Sequence, residues 1–362
     1  MNERKEIIVI AAGGTGGHIL PAISMARELK KRDGSRRIVF IGSNRGLERR
    51  LIPPEGFELI ELDVCGITGK KLSKKVLGFL TALHSFFECL GDLRRLRPAI
   101  VIGAGGYVSG PVIISAWILR IPTMIQEQNL FPGLTNRILS MLVKEVAVSF
   151  EESRKYLYGK VTNTGNPVRN DFTSLRKKER SDKLSVLVSG GSQGSRTLNK
   201  GMVEALPLLR SFKDRLRITH QTGGAELETV RQAYIRQGVE AEVLEFITDM
   251  PKRFEHADIV ISRAGASTIT EITAAGKASI LVPFPFAAHD HQRRNAEALL
   301  KAKAAFVCED AEFSGAYVAE TLKGFIDDPS RIGEMEKNAA SLHRGGAAEK
   351  IADMAERLMA GR

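Results

Sequence analysis

The chain has 362 residues, 43% of them hydrophobic and 26% charged, with a formal net charge of +11. That balance excludes the low-hydrophobicity, high-charge composition of a disordered chain, and the length suits two domains that each bury a core of their own. Three cysteines, Cys65, Cys89 and Cys308, form neither a CxxC pair nor an even framework, which argues against stapling disulfides and a structural zinc and fits a reducing compartment.

Taken in chain order, the apolar run 7–12 meets glycine at Gly13 where a signal peptide would carry a cleavage site, and no apolar run reaches spanning length. The expectation is a chain neither exported nor integral to a membrane. Runs 7–12, 38–42, 100–103 and 146–149, then 184–189, 259–262 and 279–283, predict buried strands followed by helical periodicity, the rhythm of a parallel sheet. Segments 216–220 and 242–246 predict two more. After Gly165-Asn166-Pro167 a polar, charged stretch runs to Lys183 before the series restarts. This places a domain boundary, giving 1–165 and 166–339. A last helix over 339–359 is expected to return to the first domain.

Each half opens on a strand that runs into a glycine-rich turn and a helix: Gly13-Gly14-Thr15-Gly16-Gly17-His18 in one, Gly190-Gly191-Ser192-Gln193-Gly194 in the other. The fold class is therefore α/β, two Rossmann-like domains facing a cleft. Amide groups at such a helix start, with roughly half a positive charge from the helix dipole, suit a phosphate or pyrophosphate. The plainer alternative is a tight turn that needs glycine only for its backbone angles. A dinucleotide fingerprint starting at Gly14 fails at Ile19, the second predicted strand ends in Ile41-Gly42-Ser43 with no acidic residue for a ribose, and no Gly-Lys-Ser/Thr is present for a P-loop.

The stretch from Ala257 to Glu271 delivers a buried strand to the small-residue turn Arg263-Ala264-Gly265-Ala266 and then to a helix that opens with Ser267, Thr268 and Thr270. Glu271, one turn in, is placed to accept from both hydroxyls of a ribose. Read alone, Thr268-x-x-Glu271 is a capping box. His289, Asp290 and His291 do not converge as ligands at adjacent and i,i+2 positions, and there is no Asp-x-Asp, so the expectation is a metal-independent site with no cofactor.

Several motifs together are specific. The two glycine turns, Gly105-Gly106-Tyr107-Val108-Ser109-Gly110-Pro111, Glu127-Gln128-Asn129, Gly165-Asn166-Pro167-Val168-Arg169, Phe246-Ile247 and the 266–271 box closely resemble the MurG family, the undecaprenyl-diphospho-muramoylpentapeptide β-N-acetylglucosaminyltransferases of peptidoglycan synthesis. The resemblance runs over nearly the whole chain. It implies the GT-B fold, UDP-N-acetylglucosamine (UDP-GlcNAc) as donor, the undecaprenyl-linked muramyl pentapeptide (lipid I) as acceptor, and inversion at the anomeric carbon. By motif, Thr15, Gly16, Gly17 and Asn129 would contact donor from the first domain, and Arg169 and Ser192 would meet the diphosphate. Ile247 would read uracil through its backbone, and Ala266, Ser267, Thr268, Ile269 and Thr270 would line the phosphate-binding helix start. Glu271 would take the ribose and Gln292 the sugar hydroxyls. The run Phe284-Pro285-Phe286-Ala287-Ala288 varies in the family. His18 and Glu127 are the two candidates for the base that takes the acceptor's proton.

The charge is uneven, with 24 Lys and Arg against 15 Asp and Glu in residues 1–165. Segment 66–98 holds Lys70, Lys71, Lys74, Lys75, Arg94, Arg95 and Arg97 among Val76, Leu77, Phe79, Leu80, Leu83, Phe86 and Phe87. This is the pattern of reversible docking on an anionic membrane, expected at the cytoplasmic face of a bacterial inner membrane, or of an ordinary helix with a solvated charged face. A UDP-GlcNAc 2-epimerase of the same fold is the alternative enzyme. A nucleic-acid-binding protein is suggested by charge alone and would leave both glycine turns unexplained.

Overall fold

The computed structural model describes residues 6–44, 46–63, 72–175, 181–287 and 290–361, with the side chains of 72–83 outside that description. Thirteen strands pair in parallel among these residues. They are β1 (Ile7–Ala11), β2 (Arg37–Ser43), β3 (Glu58–Leu62), β4 (Ile100–Gly103), β5 (Thr123–Glu127), β6 (Glu145–Val148), β7 (Lys160–Asn163), β8 (Leu184–Ser189), β9 (Leu216–Gln221), β10 (Ala241–Leu244), β11 (Ile259–Ser262), β12 (Ala278–Leu281) and β13 (Ala305–Val307). The first seven form one sheet in the order β3-β2-β1-β4-β5-β6-β7, and the other six a second in the order β10-β9-β8-β11-β12-β13. Four strands absent from the sequence reading, β3, β5, β7 and β13, complete them.

The near-continuous apolar runs follow from burial on both faces. In β1, Ile8 and Ile10 enter one core with Ile19, Ile23 and Leu29 of helix Gly16–Arg32 and Ile351 and Ala355 of helix Ala347–Ala360. Val9 and Ala11 face the opposite core with Cys89 and Leu93 of helix Leu72–Leu96 and Val112 and Ala116 of helix Ser109–Ile118. In the second sheet, Val186 and Val188 pack with Leu198 and Met202 of helix Arg196–Ala205 and with Val318 and Leu322 of helix Gly315–Asp327. Each fully buried Val, Leu or Ile contributes about 1.5–3 kcal/mol through removal from water.

The chain divides into two compact units, one of residues 1–169 with 344–362 and one of 170–343. The helix expected over 339–359 is a correction: helix Ser330–Ser341 ends in the second unit, and helix Ala347–Ala360 begins after Gly346, whose φ of 75° breaks the run. An L residue resists that angle, so glycine at 346 is what allows the chain to break between the two helices. The last helix belongs to the first unit, where Arg32 donates to Asp353 Oδ1 at 2.6 Å, Glu356 Oε2 at 2.8 Å and the Glu349 carbonyl at 2.9 Å, and Arg36 to Glu356 Oε1 at 2.7 Å.

One buried histidine braces the second unit. His220 of β9 is fully buried, its Nε2 at 3.0 Å from Asn199 Oδ1 and its Nδ1 at 3.1 Å from the Tyr234 hydroxyl. Asn199 Nδ2 donates to the Thr222 carbonyl at 3.0 Å. That leaves Oδ1 as the acceptor, so Nε2 carries the proton and Nδ1 accepts from Tyr234. Burial pushes the His220 imidazole down to about 3, so it stays neutral in the folded protein at all ordinary pH. The unfolded chain binds a proton there near pH 6.5 and the folded one does not. Stability is therefore full above pH 6.5 and falls towards pH 3, by about 1.4 kcal/mol per pH unit. Denaturant unfolding of the wild type should lose roughly 2 kcal/mol more than His220→Gln between pH 6.5 and 5, carboxylate contributions being common to both; equal pH slopes would remove His220 as the titrating group.

Candidate functional site

In a parallel sheet a crevice opens at the carboxyl edge where the strand order reverses. The reversal falls between β1 and β4 in the first sheet and between β8 and β11 in the second. The sequence motifs sit at these two points: residues 13–18 and 104–109 follow β1 and β4, and residues 190–194 and 263–271 follow β8 and β11.

In the first unit the two turns are nested so closely that only glycine fits. A Cβ on Gly106, whose φ is 79°, would lie 2.4 Å from the Gly13 carbonyl oxygen, and one on Gly105 would lie 2.5 Å from His18 Nδ1. Thr15 is the N-cap of helix Gly16–Arg32, is exposed, and makes no side-chain cap. The helix starts at Gly16, so Gly16, Gly17 and His18 form its first turn. His18 is half-buried, with Nδ1 3.1 Å from Gln128 Oε1.

Glu127, at the end of β5, is 1% exposed. Its Oε1 accepts from the Asn129 backbone amide at 2.8 Å and Asn129 Nδ2 at 3.1 Å, and its Oε2 from the Gly133 amide at 3.1 Å and Asn136 Nδ2 at 2.9 Å. Four donors on one carboxylate shape the 127–136 loop and hold Asn129 at its rim. A second buried carboxylate, Glu48, was not signalled by the sequence. Its Oε1 accepts from the amides of Gly14 at 2.9 Å and Ser43 at 3.0 Å, and it fills space that side chains at Gly13 and Gly42 would occupy.

In the second unit Ser192 lies in a turn bounded by Gly191 (φ 85°) and Gly194 (φ 76°). A Cβ on Gly194 would stand 1.9 Å from the Thr222 carbonyl oxygen, so the turn is pressed against the end of β9. Gln221, also missed from the sequence, ties three parts together: its Nε2 donates to the Gly191 carbonyl at 2.7 Å and its Oε1 accepts from the Ile247 amide at 2.7 Å. Ile247 is thus anchored beside the turn with its amide engaged.

Helix Ala266–Ala275 follows β11 with Gly265 at its N-cap and no side-chain cap. The capping-box alternative is therefore corrected: Thr268 is the third residue of the helix and not its cap. Ser267, Thr268, Thr270 and Glu271 occupy the first two turns, each partly exposed. Arg263 fixes the preceding turn, donating to Asp310 and to the Val282 carbonyl at 3.2 Å and lying 5.5 Å from the Phe284 ring. Gln292, second residue of helix His291–Lys301, accepts from the Phe284 amide at 3.0 Å. Asp290 is that helix's N-cap, with φ 56°, and His291 its first residue, whereas Ala288 and His289 lie outside the described residues. Arg169 closes the first unit.

Known proteins match over both units. The glycosyltransferase family 28 N-terminal domain matches residues 8–148 and the family 28 C-terminal domain residues 185–358. A Myxococcus xanthus protein named UDP-N-acetylglucosamine--N-acetylmuramyl-(pentapeptide) pyrophosphoryl-undecaprenol N-acetylglucosamine transferase is 43% identical over 97% of this chain and 93% of its own length. A Syntrophus aciditrophicus protein of the same name is also 43% identical, over 96% and 97%. Among solved structures, Acinetobacter baumannii MurG covers 98% of this chain and 100% of its own, with a TM-score of 0.75 at 29% identity. A Neisseria meningitidis UDP-GlcNAc 2-epimerase covers 97% and 100% with a TM-score of 0.69, but at 14% identity it is a likeness of fold alone. The glycine turns, the two switch points and these matches place the chain in glycosyltransferase family 28, with the GT-B fold and the MurG proteins as its relatives.

Proposed function

We propose that this chain transfers N-acetylglucosamine from UDP-GlcNAc to the C4 hydroxyl of the undecaprenyl-pyrophosphoryl muramyl pentapeptide, lipid I, giving lipid II for peptidoglycan. The observation that carries the reading is identity above 40% along almost the entire chain to proteins named for that transfer, against 11–14% for epimerases of the same fold.

The second unit takes the donor. The start of helix Ala266–Ala275 presents backbone amides and the hydroxyls of Ser267, Thr268 and Thr270 to a diphosphate, with Ser192 opposite across the switch point and Arg169 adding positive charge. Glu271 accepts from the ribose hydroxyls, Ile247 meets uracil through its carbonyl, and Gln292 meets the sugar. Helix dipole and arginine neutralise the departing diphosphate, so the reading calls for neither metal nor cofactor. The first unit takes the acceptor and offers Thr15, Gly16, Gly17 and Asn129 towards the transferred sugar.

The acceptor's C4 oxygen forms a bond to the donor's C1 from the face opposite UDP, while the C1–oxygen bond breaks and UDP leaves with the electron pair. The hydroxyl proton goes to His18. Glu127 is assigned to positioning, since its two oxygens already accept from four donors within its own loop. Purified protein in detergent should release UDP from UDP-GlcNAc only when a lipid I analogue is present, yielding a β-1,4 disaccharide. His18→Ala should lower kcat by roughly 10²–10⁴-fold with UDP affinity kept. Donor turnover without acceptor would replace the transferase by an epimerase.

Docking on the cytoplasmic face of the membrane is the companion proposal. Residues 66–71 of the segment singled out for this lie outside the described residues, as do the side chains of 72–83. In the described part, helix Leu72–Leu96 packs beside helix Ser109–Ile118, and that beside helix Leu134–Leu139. Phe87, Trp117, Ile118, Leu134, Ile138 and Met141 on and just after these helices are 47–67% exposed, with Arg94, Arg95 and Lys144 exposed among them. No helix of the described residues is long and apolar enough to cross a membrane. Aromatic and aliphatic groups among cations suit interfacial binding, at ~1 kcal/mol per basic residue. Binding to anionic vesicles should weaken in high salt and again in Trp117→Ala; salt-insensitive binding would remove the electrostatic part.

A further inference from the structure

We infer that Gln128 is a positioning residue that holds the His18 imidazole in the tautomer with its proton on Nδ1, making Nε2 the nitrogen that takes the acceptor's proton. The inference rests on the reading of His18 as base and adds the device that prepares it.

One atom facing Gln128 can only accept. Gln128 is 1% exposed, and its carboxamide nitrogen lies 2.5 Å from the carbonyl oxygen of Ala104, at the end of β4. A backbone carbonyl has no proton to give, so the group facing it must be the NH2, and the amide's orientation is settled. The same NH2 also donates to Gln126 Oε1, whose own amide nitrogen donates to Asn166 Oδ1 at 3.1 Å. The reversed amide would set an oxygen against two oxygens in a dry interior, at a cost of about 1–3 kcal/mol for each unsatisfied group. Gln128 Oε1 is therefore what faces His18 Nδ1 at 3.1 Å, and the nitrogen must bring the hydrogen. A neutral imidazole with Nδ1 protonated has its lone pair on Nε2.

The surroundings are shaped for this contact. Gly105 (φ 97°) follows Ala104, and a Cβ there would intrude to 2.5 Å from His18 Nδ1. When Nε2 accepts the C4 hydroxyl proton, the imidazolium keeps its Nδ1–H on Gln128 Oε1, whose partial negative charge favours the cation, and the added proton then passes to solvent. His220 shows that the alternative is available in the same chain, since its partners impose the Nε2–H form.

The test is the tautomer itself, read by long-range nitrogen–proton correlation on protein with ¹⁵N-labelled histidines, with the His18 signals assigned through His18→Ala. The expected wild-type result is His18 as Nδ1–H and His220 as Nε2–H. In Gln128→Leu, His18 should move towards the Nε2–H form that free imidazole side chains favour, with the backbone amide signals of strands β1 and β4 unchanged as the sign that the first unit stays folded. The same variant should lose roughly 10²-fold in kcat with KM for UDP-GlcNAc kept. An Nε2–H form at His18 in the wild type, or a tautomer indifferent to Gln128→Leu, overturns the proposal. A tautomer that shifts as expected while kcat holds would uphold Gln128 as the positioning residue and overturn the base role of His18 instead.

Discussion

Parallel strands must be joined by crossovers, so every strand leaves its sheet at the same edge, and where the strand order reverses two crossovers depart over opposite faces. Helix Gly16–Arg32 leaves β1 towards one core and helix Ser109–Ile118 leaves β4 towards the other. The edge between them opens, and glycine-rich backbone lines much of it. The same event recurs between β8 and β11. Backbone segments can approach one another this closely only where no side chain stands between, and this is why Gly13, Gly14, Gly105, Gly106, Gly191 and Gly194 lie where they do. Several of them have φ values that an L side chain resists, and two face carbonyl oxygens closer than any Cβ could approach.

Loops built from glycine have little stiffness of their own, and buried polar side chains supply it. Glu48 holds Gly14 and Ser43, Gln128 holds the end of β4 and His18, and Gln221 holds Gly191 and Ile247. Each uses charge-assisted or amide hydrogen bonds that are costly to leave unmade in a dry interior, which converts a flexible turn into one with a defined shape. Chemistry that depends on an imidazole nitrogen or a row of amides being in place before substrate arrives draws on this stiffness. The division of labour among three carboxylates follows the same logic: Glu127 and Glu48 are buried and accept from amide groups of the loops they shape, while Glu271 stands partly exposed on the second turn of its helix.

The parts of the fold legible in the sequence are those whose burial is uniform. Strands such as β1, β4, β8 and β11 read as apolar runs because both of their faces are covered. By contrast, β5 ends in the buried polar groups Gln126, which bonds to Ser149 and Asn166 far along the chain, and Glu127, which is satisfied by the loop that follows it, and β7 is an edge strand of mixed character, so neither carries a pattern. Motif-level reading located the glycine turns and the helix start at 266, because those depend on local backbone demands. It met Gln128 only as the middle of the Glu127-Gln128-Asn129 motif, without a role, and did not find Glu48 or Gln221, because the partners of the three lie 110, 34 and 26 positions away. The misread cap at Thr268 has a local cause. A sequence match to a capping box says nothing of where the helix begins, and the turn after β11 ends at Gly265.

The proposed nucleotide site is the second unit's switch point. Backbone hydrogen exchange measured with and without UDP addresses it directly, because the amides at a helix start are the proposed ligands. Slowed exchange is expected in residues 190–194 and 265–271 and around Ile247, with little change at 13–18, when UDP is added without sugar or acceptor. Protection confined to 13–18, with 265–271 unaltered, would contradict it.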